Sequence, residues 1–153
     1  MSKYEASGGG RTLEIAERVT RFTSDDLDAA TVAMVKRLIA DGVAVAVAGS
    51  REDAPRIIAD NARDQRCGEQ STVWSFGFKT SPAQAAFANA ASMHVLDFEP
   101  MSSPPTHAVS PTVPAALALG EALGASGRDI VTACAKGFEM QGRVLAAGIH
   151  ARG

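Results

Sequence analysis

Proline placement constrains this chain more than any other feature. Four of its seven prolines fall between Pro100 and Pro111. Each lacks an amide donor and pushes the residue before it away from helical backbone. That stretch is therefore loop, and the segments on either side must order themselves separately. Upstream, Ser81 to Phe98 reads SPAQAAFANAASMHVLDF. Ser81 suits an N-cap, Pro82 suits the first helical position, and alanine is the best helix former. The spacing predicts a helix from there into His94. Downstream, helix resumes near Thr112 and ends at Gly124. The loop thus gathers His94, Asp97 and His107 at one helix end.

The remainder reads as helices of ordinary length. Residues 1–11, with Ser7-Gly8-Gly9-Gly10, read as a flexible tail, and a helical domain is expected over residues 12–153. Without a preceding strand or a following Gly-Lys-Ser/Thr, those glycines are no phosphate loop. Thr12 to Phe22 places Leu13, Ala16 and Val19 at helical spacing, a face expected to turn inward. Ser24 or Asp25 is expected to cap the next helix, Leu27 to about Leu38, with Gly42 as a possible stop. Val43 to Ala48 alternates valine and alanine, which suits either a strand or a buried helix. Another helix starts at Asp53-Ala54-Pro55 and runs to about Gln65. Ser71 to Phe76 is the single strand-like piece, and Gly77 with Lys79-Thr80 reads as loop. A last helix runs from about Arg128 to Ala147, capped by Ser126 or Gly127.

Composition narrows the fold class and excludes several functions. Aromatics are 5% of residues while hydrophobic types are 46%, so small side chains must build the core. That favours an all-α, alanine-rich helical bundle with at most one short strand. The net charge of −2 gives no electrostatic footprint for nucleic acid. Arg51, Arg56, Arg63 and Arg66 alternate with acids, which predicts a solvated, ion-paired helix face. Val43 to Gly49, the longest apolar run, is far too short to span a membrane. Cys67 and Cys134 form no metal spacing and no disulfide framework, and no signal peptide is seen, so a cytoplasmic location is expected. Cys134 reads as a buried small side chain.

The histidines carry the chemical interest. His94 and Asp97 are three apart and share a helix face, but a metal would need a further ligand. At a helix C-terminus a charged histidine is favoured in any case. Asp97 and His107 are ten residues apart. If the loop folds back, the carboxylate meets the imidazole, the arrangement of a general acid or base near neutral pH. The alternative is a carboxylate capping a loop beside an exposed histidine. Ser102, Ser103, Thr106 and Ser110 offer hydroxyls to a carboxylate ligand, or serve the turns alone. Met101 is expected to pack.

These residues carry a resemblance. His94, Leu96, Asp97, Phe98, His107, Pro114 and the run Ala115 to Glu121 are similar to the signature region of the MmgE/PrpD family, where a helix ends in a phrase like HALDFDDTH, followed by HPS and VLPAALALAE. Asp41 to Ser50 and Gly120 to Arg143 resemble flanking phrases of that family, so the likeness runs over nearly the whole chain from about Asp28. It decides the Val43 to Ala48 ambiguity for helix. The chain departs from the family where Glu99-Pro100-Met101 stands in place of Asp-Asp-Thr.

The resemblance implies an N-terminal helical part of a lyase or isomerase acting on small di- or tricarboxylates by dehydration, decarboxylation or epimerisation. It implies catalytic roles for Asp97 and His107. His94, Ser103 and Thr106 are expected to bind substrate, and no cofactor or metal is expected. In the family, a further histidine and substrate-binding lysines come from beyond the region matched here. The isolated chain is accordingly expected to be inactive alone. Lys79 and Arg143 are the cations expected nearest the site. A homo-oligomer, most simply a dimer, or a complementing polypeptide is the expected partner, with no nucleic acid and no membrane. The alternative reading is a non-catalytic helical oligomerisation or binding module derived from that family.

Overall fold

The computed structural model describes residues 10–103 and 105–150, the side chains of Arg11 and His150 excepted. Six helices and one β-hairpin follow in the order α1 (Gly10–Arg21), α2 (Ala29–Gly49), α3 (Asp53–Asp64), β1 (Ser71–Val73), β2 (Phe78–Thr80), α4 (Pro82–His94), α5 (Val109–Leu123) and α6 (Gly127–His150). The mostly helical class predicted from composition holds. Of the expected tail, residues 1–9 lie outside the described residues, and Gly10 and Arg11 already belong to α1.

Helix α4 is the axis of the molecule. It packs on α2, α3, α5 and the hairpin, and Ala85, Ala88, Asn89, Ser92 and Met93 along it are buried. Its small side chains let neighbours come close. The approach of α2 is the tightest, since a Cβ at Gly49 would stand 2.0 Å from the Ser92 carbonyl oxygen. Met93 joins Val35, Ala46, Val109, Val113 and Cys134 in the main core. Ala85 and Ala88 join Ala59, Val73 and Ala118 in a second one under the hairpin.

Several boundaries differ from expectation for identifiable reasons. Gly42 does not stop α2. Met93 and Val109 pack over it, so burial continues the helix through Val43 to Ala48. The cap of α2 is Asp28, whose Oδ1 accepts from Thr31 N at 2.7 Å, rather than Ser24 or Asp25. Those two lie in a short 3₁₀ turn capped by Thr23. Leu13 and Ala16 on α1 are exposed, because α1 meets the body near its C-terminal end, where Phe22 lies by Lys136 of α6. Helix α5 begins at Val109, three residues early. Pro111 is tolerated there because the first turn of a helix has no partner for that amide. Lys79 and Thr80, read as loop, join Phe78 in β2, antiparallel to β1 in the register Ser71–Thr80, Thr72–Lys79, Val73–Phe78.

The hairpin is fastened by side chains. Buried Asn89 accepts from Trp74 N at 2.8 Å and donates to Thr72 O at 3.0 Å. Ser71 Oγ donates to Ala118 O at 2.6 Å. Glu121 of α5 accepts from Thr72 N and Thr72 Oγ1, both at 2.7 Å, and pairs with Lys79 at 2.8 Å. Arg56 pairs with Asp53 and Arg63 with Asp60 on the exposed face of α3, as the charge pattern predicts. Among the described residues no helix is long and apolar enough to cross a membrane. Cys134 is fully buried and burial pushes its thiol up to about 11, while Cys67 is exposed; both are free.

Candidate functional site

Helix α4 ends at His94, and the chain must turn sharply. Asp97 takes positive φ (56°), a left-handed conformation that aspartate tolerates better than most residues, and its amide donates to His94 O at 2.9 Å. This turn sends Glu99 inward. Met101 then pairs with His107 in an isolated antiparallel bridge, and Ser102 N donates to Thr106 O at 3.2 Å. The proline loop is thereby closed at its base, and His107 returns to the end of α4. From the other side, Gln141 of α6 donates to Thr112 Oγ1 at 2.6 Å and Ala108 O at 3.3 Å, holding the start of α5 in place.

The centre of the resulting cluster is Glu99. Its side chain is wholly buried. Oε1 lies 2.9 Å from His94 Nδ1 and 3.2 Å from His107 Nδ1, and Oε2 accepts from Ser110 N at 2.6 Å. The His107 contact lies within ion-pair range but is too bent to count as a hydrogen bond, so this solvent-excluded nitrogen has no hydrogen-bond partner. Ser110 sits in the first turn of α5, where Ala108 at the N-cap offers no side-chain acceptor. Glu99 thus caps α5 from eleven residues away and stands at its positive end. Burial alone would push the carboxyl up. Hydrogen bonds from Ser110 and His94 and the nearby His107 outweigh burial and hold it below the ordinary value, so Glu99 is ionised at neutral pH.

Asp97 occupies the outer side. Its Oδ1 is 3.5 Å from His107 Nε2, and its side chain is exposed. The two imidazoles meet edge to face with centroids 4.8 Å apart. Each histidine side chain is thus partly exposed, with its Nδ1 turned toward Glu99. His94, Glu99 and His107 also form the one group among the described residues whose ligand atoms, within 4.8 Å of one another, could converge on a cation. The short distances are those of nitrogens around an acceptor oxygen rather than around a shared centre, since Oε1 itself is the hub.

The region matching the MmgE/PrpD N-terminal domain covers residues 13–153 of this chain. The chain belongs to the MmgE/PrpD family. Among relatives of this MmgE/PrpD chain, the cis-aconitate decarboxylase of Mus musculus is 32% identical over 115 residues, covering 72% of this chain and 24% of that protein. That of Homo sapiens is 32% identical over the same length. The cis-aconitate decarboxylase of Aspergillus terreus is 28% identical over 153 residues, covering 94% of this chain and 31% of the relative. The chain therefore spans about a quarter to a third of the length of these relatives.

Within this MmgE/PrpD domain the structure brings together His94, Asp97 and His107. Ser103 is exposed and Thr106 half-buried, and the Thr106 carbonyl accepts from Ser102 N and Ser102 Oγ within the loop. Lys79 is not near the site. It lies before α4, whose 13 residues put about 20 Å between its ends. Arg143 pairs with Glu139 on α6. Met101, expected to pack, is 56% exposed, because the backbone bridge to His107 leaves its side chain outside. Glu99 was the residue missed. The signal was partial: Glu99 is the second of two acids between His94 and His107.

Proposed function

We propose that this chain is the N-terminal helical part of an MmgE/PrpD-type lyase or isomerase acting on small di- or tricarboxylates, with Asp97 and His107 as its proton-transfer pair. The observation that carries the reading is the approach of Asp97 Oδ1 to His107 Nε2 at 3.5 Å across a loop closed at its base. A carboxylate beside an imidazole, open to solvent on one side, can take a proton from carbon next to a substrate carboxylate, or return one. His94, Ser103 and Thr106 are the substrate-binding groups of this reading, and their donors suit carboxylate oxygens. The developing negative charge needs fixed cations. In this proposal they come from polypeptide corresponding to the part of the relatives that this chain does not span.

The relatives are named for cis-aconitate decarboxylation, so cis-aconitate is the first substrate to assay, followed by 2-methylcitrate. The assay uses this domain together with that additional polypeptide. Asp97→Asn and His107→Gln should each abolish most turnover while leaving the circular dichroism spectrum unchanged. Full turnover by both variants would overturn the reading.

A second reading is a non-catalytic assembly module, likewise expected to dimerise. It is favoured by Met101 standing where the family carries a hydroxyl and by Phe98, 71% exposed beside it. Light scattering at micromolar concentration separates dimer from monomer. Two free cysteines, one exposed, support a reducing cytoplasm as the location.

A further inference from the structure

We infer that Glu99 is a positioning residue that fixes His94 and His107 in the same tautomer, proton on Nδ1, so that both present Nε2 as the working nitrogen. For its catalytic consequence the inference rests on the proposed proton-transfer reading. Its structural content does not.

A neutral imidazole carries one N–H and one lone pair, and the hydrogen bond at one nitrogen decides the role of the other. Here both Nδ1 atoms face a single carboxylate oxygen, at 2.9 and 3.2 Å. Glu99 is ionised and accepts only. A lone pair on either Nδ1 would face that anion with no proton between them, in a place without solvent. A proton on each Nδ1 gives His94 a hydrogen bond to Oε1 and turns an N–H rather than a lone pair of His107 toward the anion at 3.2 Å, although that bent contact is an ion-pair approach and not a hydrogen bond. Glu99 cannot turn away, because Ser110 N holds Oε2 at 2.6 Å and the side chain is enclosed. One buried carboxylate thus sets two tautomers at once.

The consequence is directional. With Nδ1 occupied, a proton reaches or leaves His107 only at Nε2, the nitrogen beside Asp97. In proton abstraction the substrate C–H bond breaks, its electron pair stays on carbon, and the proton forms the Nε2–H bond. The imidazolium so formed keeps its Nδ1–H on Glu99, which takes no proton itself. Delivery of a proton runs the same bonds in reverse. His94, whose side chain is half-exposed, presents Nε2 in the same sense. It accepts a substrate hydroxyl or carboxylic acid when neutral and donates to a carboxylate when protonated.

The test is two-bond ¹H–¹⁵N correlation spectroscopy on the uniformly labelled chain above the imidazole titration range, with His94→Gln and His107→Gln for assignment. Both histidines should show a protonated-type Nδ1 and an unprotonated-type Nε2. Glu99→Gln should shift His107 toward the Nε2–H form, and Glu99→Asp should restore Nδ1–H in part. A wild-type spectrum with Nε2–H on His107 overturns the inference without any variant, so a misfolded mutant cannot shield it. Where turnover is measured, Glu99→Gln should lower kcat about 10²- to 10⁴-fold with KM changed far less, and should alter the pH–rate profile. Turnover unaffected by Asp97→Asn and His107→Gln would instead overturn the proton-transfer reading and leave the tautomer assignment standing.

Discussion

Two glutamates outside α4, Glu121 against the hairpin that precedes it and Glu99 in the loop that follows it, each accept a backbone amide, and they differ in what else they hold. At the hairpin end, Glu121 takes Thr72 N, Thr72 Oγ1 and Lys79. At the other end, Glu99 takes Ser110 N and two histidines. Both carboxyls lie below their ordinary value against the opposing pull of burial. An ammonium keeps its charge through neutral pH, whereas histidine is the side chain that changes charge there. The first cluster is a fastening with a fixed proton count. The second is enclosed at its carboxylate and carries two imidazoles at its rim. Only the second is suited to proton chemistry, although both would look alike in a survey of carboxylates.

The comparison can be sharpened by breaking each end in turn. The largest effect expected is on turnover of the complete catalytic assembly: His107→Gln or Asp97→Asn should cost about 10²- to 10⁴-fold in kcat, while Glu121→Gln should leave kcat within about twofold. Next is stability. Glu99→Ala leaves the buried Ser110 N–H and His94 Nδ1 without their acceptor and removes the ion-pair partner of His107, and should cost about 3 kcal/mol in urea denaturation. Glu121→Ala, at a partly exposed site, should cost about 1 kcal/mol. Equal costs would erase the distinction.

Acid titration gives a smaller, signed effect. Each glutamate is held below its unfolded value, so its contribution is complete above the ordinary carboxyl range and lost as pH falls through the folded value. Stability should therefore decline with acidification below about pH 5, and Glu99→Gln should flatten that decline. A decline unchanged in Glu99→Gln would show that other carboxyls govern it. The smallest effect is that of salt. Raising ionic strength to about 1 M should weaken the half-exposed Lys79–Glu121 pair by a few tenths of a kcal/mol and leave the enclosed Glu99 bonds untouched. Comparing salt series for the two Ala variants checks this.

Much of the fold was legible because local rules and packing agree. Ser81 and Pro82 start α4 as expected, Ser126 caps α6 with Asp129 in return, and Gly124 ends α5 in left-handed backbone. The misreadings arise where tertiary contact overrides a local signal. Gly42 looks like a stop in isolation and is a close crossing in the structure. Leu13 looks inward by periodicity, but it is exposed, and among the described residues none covers that part of α1. Lys79-Thr80 has no strand signature. It becomes β2 by pairing with β1, which Asn89 and Glu121 hold in place, and by the ion pair of Lys79 with Glu121. The site was legible as far as its charged residues near one helix end. The hub was not, since Glu99 acquires its meaning from Ser110, eleven residues on, and from a turn at Asp97 that spacing cannot reveal.

The bridge between Met101 and His107 has an evolutionary consequence. Because the two ends of the loop are tied together, the residues between them form an appendage whose length and sequence can drift at small entropic cost without moving His107. Selection can then revise positions at the tip, such as Ser103, while the cluster of Asp97, Glu99 and His107 below it is inherited intact. A scaffold of this kind diversifies by exchanging its fringe.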